Sequence, residues 1–333
     1  MEIKFPAYYL QFSCIAAACP DSCCKDWAVQ VDPDSACRYQ GLDGELGDAL
    51  RSAMQEEDGD TILALTHDGR CPMWQQDGLC RIHAQLGADW LCETCRDFPR
   101  LRHDYGDFVE LGLELSCPEA ARLILSATDC HYITQSVPGG DTPDYDTEAM
   151  QVLRSSREAA VSFLRGSDMP VGQALAVVLL YAHAVQNQLN GGDSAQLCPD
   201  ESLAIAERIA VADSGTDLLC FFEELEILTP QWRKLLRSPS PTSWCNTHQA
   251  LAIYFIERYW LQAVSDLDLI SRAKLCIVSC LVPKLLGGEL VDTAQLYSKE
   301  IENNIDNVYA ILDSTYTSPA LTDSRLLGLL LGK

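Results

Sequence analysis

The stretch from Cys71 to Cys95 constrains this chain more than any other feature of its sequence. It reads CPMWQQDGLCRIHAQLGADWLCETC, with four cysteines in 25 positions, and an Arg-x-Phe-Pro run follows its closing Cys-x-x-Cys. A second cluster precedes it in CIAAACPDSCCKDW, and one cysteine follows in LSCPEAARLIL. Such short spacings predict a segment organised around its thiols, with the rest of the chain as its scaffold. The nine cysteines are Cys14, Cys19, Cys23, Cys24, Cys71, Cys80, Cys92, Cys95 and Cys117.

The N-terminus and the apolar runs predict the redox compartment of these thiols. The sequence MEIKFPAYYLQF lacks the basic segment and long apolar run of a signal peptide. The longest apolar run, residues 174–185, is too short to span a bilayer. We therefore expect a cytoplasmic protein without a membrane span. In that compartment clustered cysteines indicate metal or redox chemistry more often than disulfides.

The chain is strongly acidic, with 48 Asp and Glu against 24 Lys and Arg and a net charge of -24. A phosphate backbone repels such a surface, so nucleic acid is not an expected partner. An acidic surface suits a basic peptide or a lysine side chain as substrate, and it also keeps a protein in solution.

The chain is predicted to be mostly α and to divide into two regions of different character. Residues 1–133 are expected to form an irregular, cysteine-rich α+β metal-binding domain. Its predicted strands cover 27–31, 62–66, 101–103 and 108–115, and its helices cover 44–57 and 81–87. Ser116-Cys117-Pro118-Glu119 predicts a further helix start, with Ser116 as the N-cap.

The Pro-, Gly- and Asp-rich run 134–147 predicts a linker or loop. Beyond it, apolar residues recur every three or four positions, so residues 148–333 are expected to form an all-helical bundle. The predicted helices cover 148–165, 171–190, 199–213, 216–228, 247–263, 266–286, 291–312 and 322–331.

The cysteine pattern predicts a metal site, because several converging thiolates select zinc or iron–sulfur clusters. The alternative is a set of buried free cysteines that pack as small apolar side chains. Zinc is usually bound by two Cys-x-x-Cys pairs, and in this pattern only Cys92-x-x-Cys95 has that spacing. Arg96, Arg100 and Arg102 follow directly and can offset the negative charge of bound thiolates.

Other histidines and cysteines carry weaker signals. His83 and His103 are possible zinc ligands, although an ordinary role is the simpler interpretation for both. Cys276 and Cys280 share a helix face, and core packing is the favoured interpretation. The remaining cysteines are interpreted as isolated or core residues, namely Cys37, Cys130, Cys198, Cys220 and Cys245.

Two common S-adenosylmethionine (SAM) signatures are missing from the sequence. The Cys-x-x-x-Cys-x-x-Cys pattern of radical SAM enzymes fails at Asp26, which stands where the third cysteine is required. No Gly-x-Gly-x-Gly loop follows a strand to form an ordinary SAM pocket. The sequence therefore singles out no cofactor-binding or catalytic residue.

Three segments together resemble the flagellin lysine N-methylase family across residues 8–127. They are CIAAACPDSCCKDWAVQVD, CPMWQQDGLCRIHAQLGADWLCETCRDFPR and LELSCPEAARLIL. Beyond residue 150 the similarity is one of length and helical character. Parts of the first two segments also resemble a broader group of small cysteine-cluster proteins that are assigned as zinc- or iron-binding.

The family resemblance implies a SAM-dependent methyltransferase that modifies lysine Nε atoms on flagellin and carries a 4Fe-4S cluster. It implies all nine cysteines as candidate ligands, which is too many for one four-iron cluster. Either some of them only support the ligands, or two metal sites exist. Six positions shared with the smaller proteins are the first choices, namely Cys19, Cys23, Cys24, Cys71, Cys80 and Cys95.

Three functions therefore compete at this point. The first, which the resemblance favours, is a protein lysine methyltransferase with an N-terminal iron–sulfur domain. The second is a non-catalytic zinc- or iron-binding module coupled to a helical protein-interaction domain, and SAM binding separates it from the first. The third is a redox or electron-transfer protein, which predicts a reversibly reducible cluster and indifference to SAM.

Overall fold

The computed structural model describes residues 1–27, 29–57, 59–127 and 131–333. The described chain is mostly α with a few small sheets, as the sequence predicts. The predicted strand 27–31 includes residue 28, which lies outside the described residues, and pairing is seen for Val29–Gln30. Cys130 also lies outside the described residues.

Four strands form a mixed sheet at the N-terminal end of the fold. They are β1 (Glu2–Pro6), β5 (Arg100–Asp104), β6 (Phe108–Leu113) and β7 (Tyr132–Ser136), in the spatial order β5-β6-β1-β7. The predicted strands 101–103 and 108–115 are confirmed as β5 and β6, which pair antiparallel from Arg100 opposite Leu113. Strand β7 pairs antiparallel with β1, so the segment predicted as a linker from residue 134 begins as a strand.

A second, three-stranded sheet supports the cysteine-rich segment. Its strands are β2 (Val29–Gln30), β3 (Met54–Glu57) and β4 (Asp60–Leu63), in the order β2-β4-β3. The predicted helix over 44–57 is too long, because Met54–Glu57 pairs with β4 instead of continuing the helix. This sheet and its neighbouring helices enclose a small core of its own around Tyr39, Leu50 and Met73.

Five helices belong to this N-terminal region, and the last begins later than predicted. They are α1 (Pro33–Gln40), α2 (Gly44–Ala53), α3 (Arg81–Leu86), α4 (Glu93–Asp97) and α5 (Pro118–Ser126). The N-cap of α5 is Cys117 and not Ser116. The Ser116 hydroxyl instead donates a hydrogen bond to the Glu114 carboxylate at 3.2 Å.

Residues beyond 146 form the predicted helical bundle. Its helices are α6 (Thr147–Gly166), α7 (Val171–Leu189), α8 (Pro199–Ile209), α9 (Thr216–Glu224), α10 (Pro230–Arg237), α11 (Asn246–Tyr259), α12 (Leu269–Leu286), α13 (Leu290–Tyr297), α14 (Ile305–Ser314) and α15 (Asp323–Leu331). Helix α10 was not predicted. Pro230 occupies its first turn, where proline is favoured, and the Thr229 hydroxyl caps the amide of Trp232.

The predicted helix 291–312 is divided into three parts. A π-helical turn, Ser298–Glu302, separates α13 from α14. The turn is held by Glu300, whose carboxylate accepts hydrogen bonds from the amides of Leu228 at 2.7 Å and Thr229 at 2.9 Å. Single π-helical turns inside helices are common at functional positions, and this one carries Lys299, which is buried.

Helix α12 runs through the centre of the bundle, and both of its cysteines lie in the core. Cys276 and Cys280 are buried, which confirms their predicted packing role, and the Cys276 thiol donates to the carbonyl of Phe255 at 3.2 Å. The interpretation of three other cysteines as core residues is wrong, because they lie at helix starts or on an outer face and are exposed: Cys198, Cys220 and Cys245. Among the described residues no helix combines the length and apolarity needed to cross a membrane.

The packing of α15 gives a test of this bundle. Replacing Gly328 by alanine should favour the helix by about 1 kcal/mol from propensity alone. A Cβ at Gly328 would, however, lie 1.8 Å from the carbonyl oxygen of Val211. We therefore expect Gly328→Ala to lower the free energy of unfolding by roughly 1–3 kcal/mol in urea denaturation.

The matched control is Gly166→Ala in the last turn of α6, where nothing lies within 4 Å of an added Cβ. This variant should be neutral or slightly stabilising. Equal effects of the two substitutions would contradict the close approach of α15 to Val211.

Candidate metal centre

The nine clustered cysteines come from separate loops and helix starts. Cys14, Cys19, Cys23 and Cys24 lie in the irregular segment between β1 and β2, which contains only short 3-10 turns. Cys71 and Cys80 flank a tight loop, Cys92 precedes α4, Cys95 lies within α4 and Cys117 precedes α5. All nine are free thiols.

Five of these thiols lie close enough for their charges to act on one another. They form the five-cysteine group, namely Cys24, Cys71, Cys80, Cys92 and Cys95. The backbone joins two of its loops directly, because the Cys71 amide donates a hydrogen bond to the Cys24 carbonyl at 2.7 Å. Cys71 and Cys92 are 5% and 1% exposed, so the group extends into the small core beside the second sheet.

The other four thiols form a second, more exposed set beside the first. This four-cysteine group consists of Cys14, Cys19, Cys23 and Cys117. Cys14 and Cys23 are exposed, and Cys19 and Cys117 are partly buried. Neighbouring residues Cys23 and Cys24 connect the two groups through a hydrogen bond between their side chains. The fold thus brings all nine predicted residues together, in two adjoining sets.

Burial makes most of these thiols hard to ionise while no cation is beside them. Desolvation, together with the neighbouring sulfurs, raises the pKa of Cys71 to about 12 and that of Cys117 to about 11. Two thiols show the opposite shift because a neighbouring thiol hydrogen-bonds to them. The pKa of Cys24 is lowered by Cys23, and that of Cys92 by Cys95. A bound cation would favour thiolates across both groups.

The donor chemistry of the two groups fits a thiophilic metal, with free thiols in numbers that zinc or iron–sulfur sites use. As the side chains stand, no three His, Cys, Asp or Glu residues in the described part of the chain are arranged to hold a metal ion. Ligation would therefore require some of the side chains to rotate toward a common centre.

The two candidate histidines lie apart from this arrangement. His83 is exposed on α3. His103 lies on β5, where the charged groups that act on it are Arg258, Glu110 and Arg157 and no cysteine is among them. The arrangement of the thiols therefore gives neither histidine a place in the two cysteine groups.

The arginines that follow Cys95 in the sequence have other partners. Arg96 pairs with Asp97 at 3.2 Å and Arg102 pairs with Asp104 at 2.6 Å. Arg100 lies over the ring of Phe12 at 5.2 Å. The expected role of these arginines as counter-charges therefore finds no support in their pairing.

Lys299, from the π-helical turn, reaches the cysteine-rich loop from the helical bundle. Its Nζ atom lies 3.1 Å from Asp21 Oδ2 and 2.8 Å from Asp26 Oδ2, and these aspartates bracket Cys23 and Cys24. The Lys299 side chain is 6% exposed. We call this contact the lysine clamp. A single lysine 273 residues from Asp26 carries no sequence pattern, so sequence reasoning missed it.

Gln295, one helical turn before Lys299, strengthens the same contact. Its side-chain amide donates to the Ser116 carbonyl at 2.7 Å and to Asp21 Oδ2 at 3.3 Å. Ser116 precedes Cys117, so Gln295 joins both chain segments of the four-cysteine group. Burial raises the pKa of Asp21, but hydrogen bonding from Lys25 and the charge of Lys299 outweigh it and lower the pKa overall.

Comparison with known proteins identifies the family. Lysine-N-methylases of Salmonella choleraesuis (strain SC-B67) and Salmonella typhimurium (strain LT2) are 33% and 32% identical to the chain over 148 residues. The flagellar biosynthetic protein FliU of Salmonella muenchen is 34% identical over 142 residues, which cover 39% of this chain and 80% of that protein. The chain belongs to the flagellin lysine N-methylase family.

The chain spans only part of the length of the two lysine-N-methylases. The matched stretch covers 40% of this chain and 35% of each lysine-N-methylase. No protein-family model matches the chain, and no solved structure matches it. The described geometry adds the two cysteine groups and the lysine clamp to this relationship.

Removal of the lysine clamp should destabilise the protein and loosen the cysteine-rich loop. Lys299→Met should lower the free energy of unfolding by roughly 1–3 kcal/mol. This is less than for a fully buried pair, since both aspartates keep some contact with water and Asp21 keeps its ion pair with Lys25 at 2.8 Å. The substitution should also speed tryptic cleavage after Lys25, because the loop that carries Cys19 to Cys24 loses its anchor.

The matched control is Lys274→Met. Lys274 is also buried, pairs with Asp323 at 3.0 Å and donates to two backbone carbonyls, but it contacts no part of the cysteine-rich loop in these interactions. Lys274→Met should lower the free energy of unfolding without changing the rate of tryptic cleavage after Lys25 under native conditions. Equal cleavage rates in both variants would show that Lys299 does not hold the loop.

Proposed function

We propose that the chain is a SAM-dependent protein lysine N-methyltransferase that acts on flagellin and carries a cysteine-ligated iron–sulfur cluster. The observation that carries this proposal is the family relationship together with nine free thiols gathered in two adjoining groups. The flagellar name of one relative supports flagellin as the class of protein substrate.

The proposed reaction sets clear demands on the site. The lysine Nζ atom attacks the sulfonium methyl carbon of SAM, an N–C bond forms, the S–C bond breaks, and SAM leaves as its thioether. The attacking amine must be neutral, although a free lysine has a pKa of about 10.4. The protein therefore has to hold the amine in line with the methyl group and shield it from water.

The five-cysteine group is the first choice for the cluster, because its thiols are the more buried and its loops are joined by backbone hydrogen bonds. When bound, a four-iron cluster supplies thiolate-ligated irons, and an iron with an open position can bind the amino and carboxylate groups of SAM. The absence of a glycine-rich SAM loop in the sequence motivates this role. Equal SAM affinity of cluster-stripped protein would contradict it.

The two groups also bear on the open question of one or two metal sites. Five thiols already exceed the four ligands of a cubane cluster. The four-cysteine group then either supports the first site through Cys23 and Cys24 or holds a metal of its own. Metal content measured on variants of each group separates these two outcomes.

Methyl transfer tests the proposed function directly. Protein purified without oxygen is incubated with SAM and unmodified flagellin, and the flagellin is analysed by mass spectrometry. We expect lysines to gain methyl groups, and Cys95→Ser to lower the rate more than about tenfold together with the iron content.

Cys220→Ser is the matched control, because Cys220 is an exposed thiol on α9 outside both groups. It should leave both the rate and the iron content unchanged. Unmodified flagellin after incubation with cluster-loaded wild-type protein would contradict the methyltransferase assignment.

The second candidate is a non-catalytic zinc- or iron-binding module coupled to the helical bundle. The small core of the cysteine-rich segment favours this candidate, because a bound structural metal would stabilise the fold of such a segment. This module predicts that metal removal unfolds the N-terminal segment and that calorimetric titration detects no SAM binding to the loaded protein. SAM binding to the loaded protein would exclude it.

A further inference from the structure

A small cavity lies between the N-terminal sheet and helix α11. Its volume is about 40 Å³, which admits a few water-sized groups. Strands β5 and β6 form one wall, and α11 contributes Tyr254, Glu257 and Arg258 to the other. Tyr8 and Tyr132 add aromatic rings to the lining. The cavity thus has the size of a polar head group and a lining of aromatic and charged side chains.

Two carboxylates beside this cavity share one arginine. Arg157 makes two hydrogen bonds to the carboxylate of Glu110, and its Nε atom lies 3.4 Å from Glu257 Oε2. Glu257 is only 14% exposed and shares this single guanidinium with Glu110. The second arginine, Arg258, pairs with Glu302 at 2.8 Å. Glu257 therefore has only a share of one guanidinium as its counter-charge.

Lys4 is a cation near the cavity, but it is not one of the cavity-lining residues. The Nζ atom of Lys4 lies 4.6 Å from the ring centre of Tyr132, and its charge acts on Glu110. Lys4 does not line the cavity, and no ion pair joins it to Glu110 or Glu257 within the described residues. The contact shows that an ammonium group is accommodated on the face of a tyrosine in this part of the fold.

The cavity is also lined by a ring nitrogen that could take part in a hydrogen bond. His103 lines it, and the buried Nε2 atom of His103 has no hydrogen-bond partner among the described residues. Burial and the charge of Arg258 lower the pKa of His103 to about 4, so the imidazole is neutral near pH 7. A neutral imidazole can present one ring nitrogen as an acceptor.

The cavity is close to the cysteine-rich region along the chain. The hydroxyl of Tyr254, in the cavity wall, accepts a hydrogen bond from the Leu115 amide at 3.4 Å. Leu115 is two residues from Cys117 in the four-cysteine group, and two residues span at most about 7 Å. A group bound in the cavity would therefore lie near one edge of the candidate metal centre.

We propose that this cavity binds the ammonium group of the lysine to be methylated, with Glu257 as its counter-charge and His103 Nε2 as a hydrogen-bond acceptor. The inference rests on the proposed function for the identity of the lysine as substrate. An ammonium group supplies a positive charge for Glu257 and three N–H donors, and tyrosine faces attract cations. Glu257 and His103 are thus assigned to binding of the substrate amine.

The test follows the ring signals of selectively labelled His103 in ¹H–¹³C spectra of the full chain. Nα-acetyl-lysine amide is titrated, and Nα-acetyl-norleucine amide, which has a similar stem without the ammonium group, is the matched ligand. We expect the lysine compound alone to shift the His103 signals. Unmoved signals, or equal shifts with norleucine, would overturn the proposal.

Two variants locate the contact. Glu257→Gln should weaken binding of the lysine compound by about tenfold or more, the change that a lost 1.4 kcal/mol produces. Glu158→Gln, at an exposed position of α6, should leave it unchanged. Gly112→Val is the substitute if Glu257→Gln does not fold. It adds bulk at a cavity-lining strand position while leaving the charged residues in place, so it should also weaken binding.

The flagellin assay separates this proposal from the proposed function. Lysine binding at His103 without any methylation of flagellin would leave the cavity assignment standing and contradict the methyltransferase. Methylation with an unchanged KM for flagellin in Glu257→Gln would support the methyltransferase and overturn the cavity assignment.

Discussion

The buried contact of Lys299 with Asp21 and Asp26 is the interaction on which the arrangement of the protein depends. It joins the π-helical turn of the bundle to the irregular loop that carries Cys19, Cys23 and Cys24. A loop with only short 3-10 turns has few internal hydrogen bonds to fix its shape, so contacts with other segments hold it. The lysine clamp is one of these contacts, and the backbone hydrogen bond between Cys71 and Cys24 is another. The helical bundle therefore positions one side of the candidate metal centre.

The same bundle forms the wall of the cavity that we assign to the substrate amine. Helix α11 supplies Tyr254 and Glu257, and the π-helical turn supplies both Lys299 and Glu302, the partner of Arg258. The thiols and the cavity thus depend on the same few helical turns. This gives the helical half a physical role in the proposed chemistry, in addition to any surface that it offers to flagellin.

Sequence patterns predicted the fold class, most helices of the bundle and the gathering of the nine cysteines, because periodicity and short spacing are local signals. They did not predict α10, or the division of helix 291–312 by a π turn that Glu300 holds through distant amides. Lys299 and Glu257 were missed for the same reason. Their roles arise from partners in distant segments, which composition and spacing do not encode.

We propose that the gathered thiols hold an iron–sulfur cluster in this member of the lysine N-methylase family. The most direct test is to measure iron, acid-labile sulfide and zinc, with an absorption spectrum, on protein purified without oxygen. We expect about four irons and four sulfides per chain and a broad band at roughly 400 nm from thiolate-to-iron charge transfer. A colourless protein with stoichiometric zinc and no sulfide would contradict it.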